Sequence, residues 1–269
     1  MKKIFTVCAL LIAGVCFAQV PFFQDNFENA AVPDVPAGST RTPENNGGTN
    51  LSYFKRSTNI VPGDISLAPA VPYAAMSGAF IWAGEDHDTP FGAGNEEQQI
   101  EWTSINISGR TNLEFKGNFA ANNTNGPWDN GLVTGGSDPY GPTGLNDYVI
   151  VEYAIDAAAY SQLIIFIGDA TLPAPPGKSL REDTNGDGIG DGAQLNFTLT
   201  EFTKNIAGTG TTLKIRIRVR SNGGNEEWAI DNFRVAEVVA CSNPVINTQP
   251  SNASVCVGGN TNFSIASTG

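Results

Sequence analysis

The sequence predicts an all-β protein, an antiparallel β-sandwich followed by the opening of a second β domain. Three observations carry this. Segments of strand length alternate apolar with polar residues or run apolar throughout. Long connections rich in Gly, Pro and Asn separate them. No apolar 3.6-residue period of helical length occurs anywhere in the 269 residues.

The chain opens on a leader. Lys2 and Lys3 form a basic start, residues 4–15 are an apolar run short for a bilayer, and Cys16-Phe17-Ala18 supplies small residues for cleavage. Residues 1–18 are therefore expected to be a signal peptide, with Gln19 starting the mature chain. Val15 stands where a lipid-anchored chain needs a small residue before the cysteine, which argues against lipidation. The expected location is outside the cell, secreted or on the cell surface, and the short lysine-led leader looks bacterial. No later apolar run approaches membrane-helix length, so the mature chain is expected to lack a transmembrane segment.

Of fifteen basic residues, two lie in the leader; thirteen remain against twenty-seven acidic ones, a mature charge of −14. Such a surface repels phosphate backbones, so no nucleic-acid partner is expected. An acidic exported chain suits calcium instead, whose hard cation prefers carboxylate and carbonyl oxygen.

The strands follow in order. Residues 147–155 (DYVIVEYAI) alternate, 161–167 (SQLIIFI) run apolar, 195–202 (LNFTLTEF) and 213–219 (LKIRIRV) alternate cleanly, and 228–235 (WAIDNFRV) closes the series. Within residues 214–220, period two places Ile215, Ile217 and Val219 on the core face and Lys214, Arg216, Arg218 and Arg220 on the other. With acids in two-fold excess, these cations are expected to pair across strands, for example with Glu152, rather than form a stripe for an anionic polymer.

A composition break follows Val239. Residues 241–269 contain no charged side chain and stop in mid-pattern, and twenty-nine residues cannot bury a sandwich core. The expected domains are a sandwich over residues 19–238 and a truncated domain over 239–269.

The run NPVINTQPSNASVCVGGNTNFSIASTG resembles the opening of immunoglobulin-like repeats in secreted proteins of Bacteroidetes. The pieces DNFEN, FIWAGEDHD, INISGRTNLEFKGNFAA, NDYVIVEYAID, DTNGDGIGDG and EEWAIDNFRV, spread over residues 22–237, are similar to jelly-roll modules of the MAM and concanavalin-like lectin kinds. The resemblance implies a jelly-roll sandwich followed by an incomplete Ig-like sandwich. It also implies that FQDNFE and WAIDNFRV lie side by side, with Glu28, Asp147 and Asp231 as a second, structural cation site.

The first cation site is expected in REDTNGDGIGDG, residues 181–192. With Asp183 at position one of a calcium loop, Asn185 and Asp187 fall at three and five and Gly188 at the sharp turn. Ile189 then offers a carbonyl at seven and Asp191 falls at nine. Position twelve is Gln194 rather than a bidentate Glu, and prolines precede the loop, so EF-hand helices are absent. Three crowded carboxylates repel without a cation, which favours calcium over a bare turn.

Catalytic constellations are missing. His87 is the only histidine, and no GxSxG turn supplies a serine, so it is expected to be a solvated loop residue. Glu96-Glu97 and Glu226-Glu227 are adjacent pairs whose side chains point to opposite faces of a strand, unlike a glycosidase pair. Among the aromatics, Trp82 and Trp228 sit in apolar strands and belong to the core. Trp128 and Tyr140 lie in the Gly/Pro-rich residues 126–144 and are the candidate ligand-binding rings. Cys241 and Cys256, fourteen residues apart, either form one disulfide or leave Cys256 to pair with a cysteine outside this sequence.

The expected function is a non-catalytic binding or adhesion module, stabilised by calcium, whose partner is an extracellular glycan or surface protein. The alternative is an accessory N-terminal region of an extracellular hydrolase whose catalytic domain lies past residue 269.

Overall fold

The computed structural model describes residues 20–30, 40–92, 96–124, 128–129, 146–169, 179–238, 245–248, 254–262, 264 and 266–268. The leader, residues 1–18, lies outside them.

Val20–Val238 is one compact unit. Its elements are β1 (Phe23–Asp25), β2 (Thr40–Pro43), β3 (Gly47–Gly48), β4 (Tyr53–Ser57), β5 (Ile81–Glu85), α1 (Asp88–Phe91), β6 (Glu97–Asn106) and β7 (Leu113–Ala121). After these come β8 (Tyr148–Ile155), β9 (Ser161–Gly168), β10 (Leu180–Glu182), β11 (Thr200–Ile206), β12 (Thr212–Arg220) and β13 (Trp228–Glu237). Among the described residues the unit holds no helix but the single turn α1 and is otherwise β. One sheet runs β11-β7-β13-β5-β4-β3 with β1 also on β13; the other runs β10-β9-β8-β12-β6-β2. Neighbouring strands in both are antiparallel. This is the antiparallel sandwich that the alternation predicts. The pairing of Phe23 with Val235 and Asp25 with Phe233 puts FQDNFE beside WAIDNFRV, as the resemblance implies.

Alternation fixes which side of each strand is dry. Ile215, Ile217 and Val219 of β12 meet Trp102, Phe119, Phe166, Trp228 and Phe233 between the sheets. The rings interlock, with Trp102 and Phe233 centroids 4.9 Å apart and Phe119 and Phe166 5.0 Å apart. The first sheet is also covered on its other face. There Ala83, Ala229 and Ala120 stand in register on three adjacent strands, and their small side chains let Ile65, Leu67 and Tyr73 pack flat on the sheet.

One buried ion pair ties the sheets together. The Arg41 Nη1 on β2 donates to both Asp25 oxygens on β1, at 2.5 and 2.6 Å, and Trp102 Nε1 on β6 donates to Asp25 at 2.7 Å. Phe27 N adds a third donor and a fourth hydrogen bond at 2.9 Å, so the buried carboxylate is fully satisfied.

Two expectations need correction. Residues 195–199 are not strand, and the strand begins at Thr200 and runs to Ile206. Asn196 explains this: its side chain accepts from Thr198 N at 2.7 Å and its carbonyl from Ala121 N at 3.0 Å. Leu195 and Leu199 are buried, but in different apolar clusters. The second correction concerns His87, which is fully buried, with its ring against Phe54 and Trp228.

Met1–Gln19 and Val239–Gly269 fall in a second unit. Its described part holds one antiparallel pair, β14 (Val245–Thr248) with β15 (Ala266–Thr268).

Candidate functional site

The candidate site is the outer face of the second sheet. Arg216 stands opposite Glu152 on β8 and Glu101 on β6, and Arg220 stands opposite Tyr148 and Glu97. Each of these side chains points away from the core because its neighbours in sequence point into it.

The three arginines of β12 are paired, as the acid excess predicts, with Arg220 on Asp147. Arg216 Nε donates to Glu152 at 2.6 Å, and Arg218 Nε donates to the same oxygen at 2.9 Å. Arg218 Nη1 reaches Glu97 at 2.7 Å. The Tyr148 hydroxyl also donates to Glu97, and the Tyr160 hydroxyl to Glu101. The Arg216 guanidinium lies 3.9 Å from the Tyr160 ring centroid. Tyr148, Glu97, Arg218, Glu152, Arg216, Tyr160 and Glu101 thus form one connected chain. Toward β2 the face continues in hydroxyls, with Thr40 and Thr103 Oγ1 atoms 2.8 Å apart.

The electrostatics follow from the pairing. Burial pushes the Glu152 carboxyl up, but the Arg218 and Arg216 guanidiniums outweigh it and hold the group below its ordinary value. Burial, then the adjoining carboxylates, push the Tyr148 and Tyr160 hydroxyls up, so both remain proton donors. Such a face offers fixed donors and acceptors and one aromatic edge, but no activated nucleophile or proton-poised base.

The expected second cation site is divided. Glu28 Oε1 accepts from Ala79 N and Phe80 N at 2.7 and 2.9 Å, and Asp231 Oδ2 accepts from Ser77 N at 2.5 Å. A side chain at Gly78 would run into the Glu28 carboxylate. Asp231 Oδ1 is buried without a partner, and so is Oδ1 of Asn118, its cross-strand neighbour. Burial pushes the Asp231 carboxyl up to about 7. Two orphaned oxygens beside a carboxylate fit a hard cation, and Asn118 is a participant the sequence did not suggest.

Asp147 does not join them. It precedes β8 in the other sheet, accepts from Asp129 N at 2.6 Å and meets Arg220 Nη1 at 3.4 Å. Its ligand atom lies within 4.8 Å of those of Asp129 and Glu226, the one such acidic trio among the described residues. Burial, then the Glu226 charge, push Asp147 well up. The resemblance placed Asp147 by strand order, which does not reveal the sheet.

In the 181–192 loop the carboxylates turn to the backbone. Asp183 accepts from Gly186 N and Gly188 N at 2.7 and 2.9 Å, Asn185 from Asp187 N at 2.9 Å, and Asp187 from Ile189 N at 3.0 Å. Asp191 accepts from Thr184 N and Oγ1, which holds its carboxyl down. Asp183, Asp187 and Asp191 do not gather within 4.8 Å of one another. Their alternate spacing and the Gly188 turn are present, with φ +85°.

Trp128 is not an exposed ring. It is wholly buried, and its Nε1 donates to the Asn122 carbonyl at 2.7 Å. Its loop composition suggested exposure, but an indole with a hydrogen-bond partner belongs inside. Tyr140 lies outside the described residues. Trp82, Trp102 and Trp228 are core. Cys256 is exposed with a free thiol, and Cys241 lies outside the described residues. On the outer face Tyr148 is itself buried, whereas Tyr160, the residue before β9, is half-buried with Arg216 over its ring, and loop composition signals neither.

No known protein-family profile matches the chain, and no curated protein matches it. Solved structures of similar fold do. The carbohydrate-binding module TmCBM61, in complex with β-1,4-galactotriose, is 9% identical with a TM-score of 0.38, covering 79% of this chain and 94% of that one. The K3 cleaved adhesin domain of Lys-gingipain from Porphyromonas gingivalis is 14% identical with a TM-score of 0.40, covering 81% and 100%. The CBM22-1 xylan-binding domain of Xyn10C from Paenibacillus barcinonensis is 10% identical with a TM-score of 0.36, covering 84% and 99%. Likenesses this distant say nothing of what this chain binds.

Proposed function

We propose that this protein is an exported, non-catalytic module that binds a glycan on the outer face of its second sheet and serves attachment at a bacterial surface. One observation carries the reading: the connected chain from Arg218 through Glu152 and Arg216 to Tyr160 and Glu101, in which the arginines, Tyr160 and Glu101 are half-exposed. Its cations are neutralised in place and its side chains are ordered before any ligand arrives, which lowers the entropic cost of binding. Fixed carboxylates, guanidiniums and a tyrosine edge match a hydroxyl-rich, uncharged ligand, with bidentate contacts to paired hydroxyls. A uronate polymer gains little from paired arginines and is repelled by a net charge of −12 over the whole sequence.

Calcium is proposed as the structural ion. The support is the pair of orphaned oxygens on Asp231 and Asn118 beside Glu28, and the alternating donors of residues 183–191. The ion would bring charge balance to Asp231 and leave the binding face untouched.

The reading is tested by native electrophoresis of the mature chain through gels containing soluble polysaccharides, with calcium present. Retardation by at least one neutral polysaccharide and by no uronate polymer is expected. Free migration through every neutral polysaccharide contradicts the reading.

A further inference from the structure

The 181–192 loop also holds the parts of a self-modification site. Three Asn–Gly pairs occur among the described residues, Asn46–Gly47, Asn185–Gly186 and Asn222–Gly223. An Asn–Gly pair is the dipeptide in which the following backbone nitrogen most easily reaches the side-chain carbonyl carbon, because glycine has no Cβ to block the approach. Around Asn185 the loop adds three things to that bare reactivity. The nucleophile is the Gly186 nitrogen, whose N–H points at Asp183 Oδ1 at 2.7 Å. Asp183 is itself buried and fixed by a second bond from Gly188 N at 2.9 Å, so the base is held in place. The electrophile is the Asn185 amide carbon, whose Oδ1 accepts from Asp187 N at 2.9 Å, a donor placed where negative charge develops. The departing nitrogen, Nδ2, already donates to Asp187 Oδ2 at 3.2 Å. Asn185 and Gly186 are exposed, and nothing lies within 4 Å of where a Gly186 Cβ would stand, so water has free access.

We propose that, while no calcium occupies the loop, Asn185 is a site of spontaneous deamidation, with Asp183 as general base. The Gly186 nitrogen bonds to Cγ of Asn185 and gives its proton to Asp183. The Cγ–Nδ2 bond breaks, the proton passes to that nitrogen, and ammonia leaves behind a five-membered succinimide. Water then opens the ring to aspartate or isoaspartate, with no change of oxidation state. The product carries one more carboxylate between Asp183 and Asp187, and in the isoaspartate form a longer backbone, so the loop alters with the age of the protein.

One of the other pairs serves as internal comparison. Gly223 N also donates to a buried carboxylate, Glu226 Oε2 at 2.7 Å, so that pair is no control. Gly47 lies in β3, paired with Phe54 of β4, with no carboxylate bond to its N–H among the described residues, and Asn46 is the comparison. The test ages the folded full chain in mildly alkaline buffer, digests it with trypsin and follows the amide-to-acid mass change by fragment sequencing. Cleavage after Arg181 and Lys204 isolates Asn185 on one peptide. Asn185 is expected to convert several-fold faster than Asn46, and Asp183→Asn to bring it down to the Asn46 rate. Conversion of Asn185 no faster than that of Asn46 overturns the proposal, and that comparison needs no variant, so it decides even where Asp183→Asn disturbs the loop. An unchanged Asn185 rate in Asp183→Asn overturns the role of the base.

Discussion

Glu85 shows what a single buried side chain costs and controls. It faces Tyr53 across β4 and β5, and the β5–β13 register brings Glu227 alongside it. One Glu85 oxygen accepts from Asn225 N at 3.0 Å while the other is buried without a partner. Glu227 is better served, by Ala68 N at 2.8 Å and by Asn122 Nδ2 at 2.5 Å. Burial, then the Glu227 charge and its acidic neighbours, push the Glu85 carboxyl from 4.5 up to about 8, although the Asn225 bond opposes this. The folded chain therefore keeps a proton that the unfolded chain releases, and stability falls as pH rises from 4.5 to about 8. The slope from one such group is at most roughly 1.4 kcal/mol per pH unit. His87 acts in the opposite sense over a lower window. Burial lowers it from 6.5 to about 4, so its contribution is lost as pH falls through that interval. Glu85→Gln cannot ionise, and urea unfolding at several pH values should show a shallower decline between 4.5 and about 8 than in wild type. Parallel profiles would mean that Glu85 is ionised in the folded protein.

At the scale of elements, the strands easiest to find from sequence were those in the middle of the second sheet. In β12 every second residue is aliphatic and buried, and the residues between are charged and half-exposed, so period two is unmistakable. At an edge the signal weakens. β11 is largely exposed, carries only Phe202 and Ile206 as large apolar residues, and the clearer alternation just before it belongs to a segment bent by Asn196. β5 and β7 emerged only as pieces of a resemblance, and β4 and most of β6 not at all, because Gly, Ala and polar residues dilute their apolar period. The 181–192 loop was legible as a set of donors, but the direction in which each carboxylate turns depends on local backbone bonds. A cation would have to draw Asp183, Asp187 and Asp191 together, whereas Asp231 and Asn118 are cross-strand neighbours that each hold a buried oxygen without a partner. Calcium at a hundred times its dissociation constant should stabilise the protein by about 2.7 kcal/mol. Thermal unfolding with chelator and then with millimolar calcium measures this. Asp231→Ala is expected to remove more of the calcium-dependent rise than Asp183→Ala. An equal midpoint with and without calcium in wild type would remove both sites.

For the whole molecule, what matters is that two sheets are fixed to each other before either face is used. The Asp25 carboxylate receives Arg41 and Trp102 from the second sheet while its own strand pairs within the first, so the clamp sets how the sheets meet. That geometry leaves the first sheet covered on both sides, whereas the outer face of the second is covered over Tyr148, Ile150, Ile165 and Ile167 and half-exposed around Arg216, Tyr160 and Glu101. The two-sheet architecture was readable from alternation and turn composition, since both are local. The candidate site was readable only in part. The Lys214–Arg220 stripe and its pairing with Glu152 followed from period two and the acid excess, whereas Tyr148 and Glu101 join it through a cross-strand register, and Tyr160 from the position before β9, neither of which the sequence displays. Composition misplaced the binding rings for the same reason, since Trp128 sits among Gly and Pro yet is enclosed by the fold. The central claim is that the outer face of β6, β8 and β12 holds the ligand. Calorimetric titration with a neutral polysaccharide that retards the wild type, repeated on Tyr160→Ala and Arg216→Ala and on the remote Lys55→Ala, tests it most directly. Losing one such anchor should weaken binding at least ten-fold, about 1.4 kcal/mol, in the first two, with Lys55→Ala unchanged. Full affinity in both face variants would place the ligand elsewhere on the molecule.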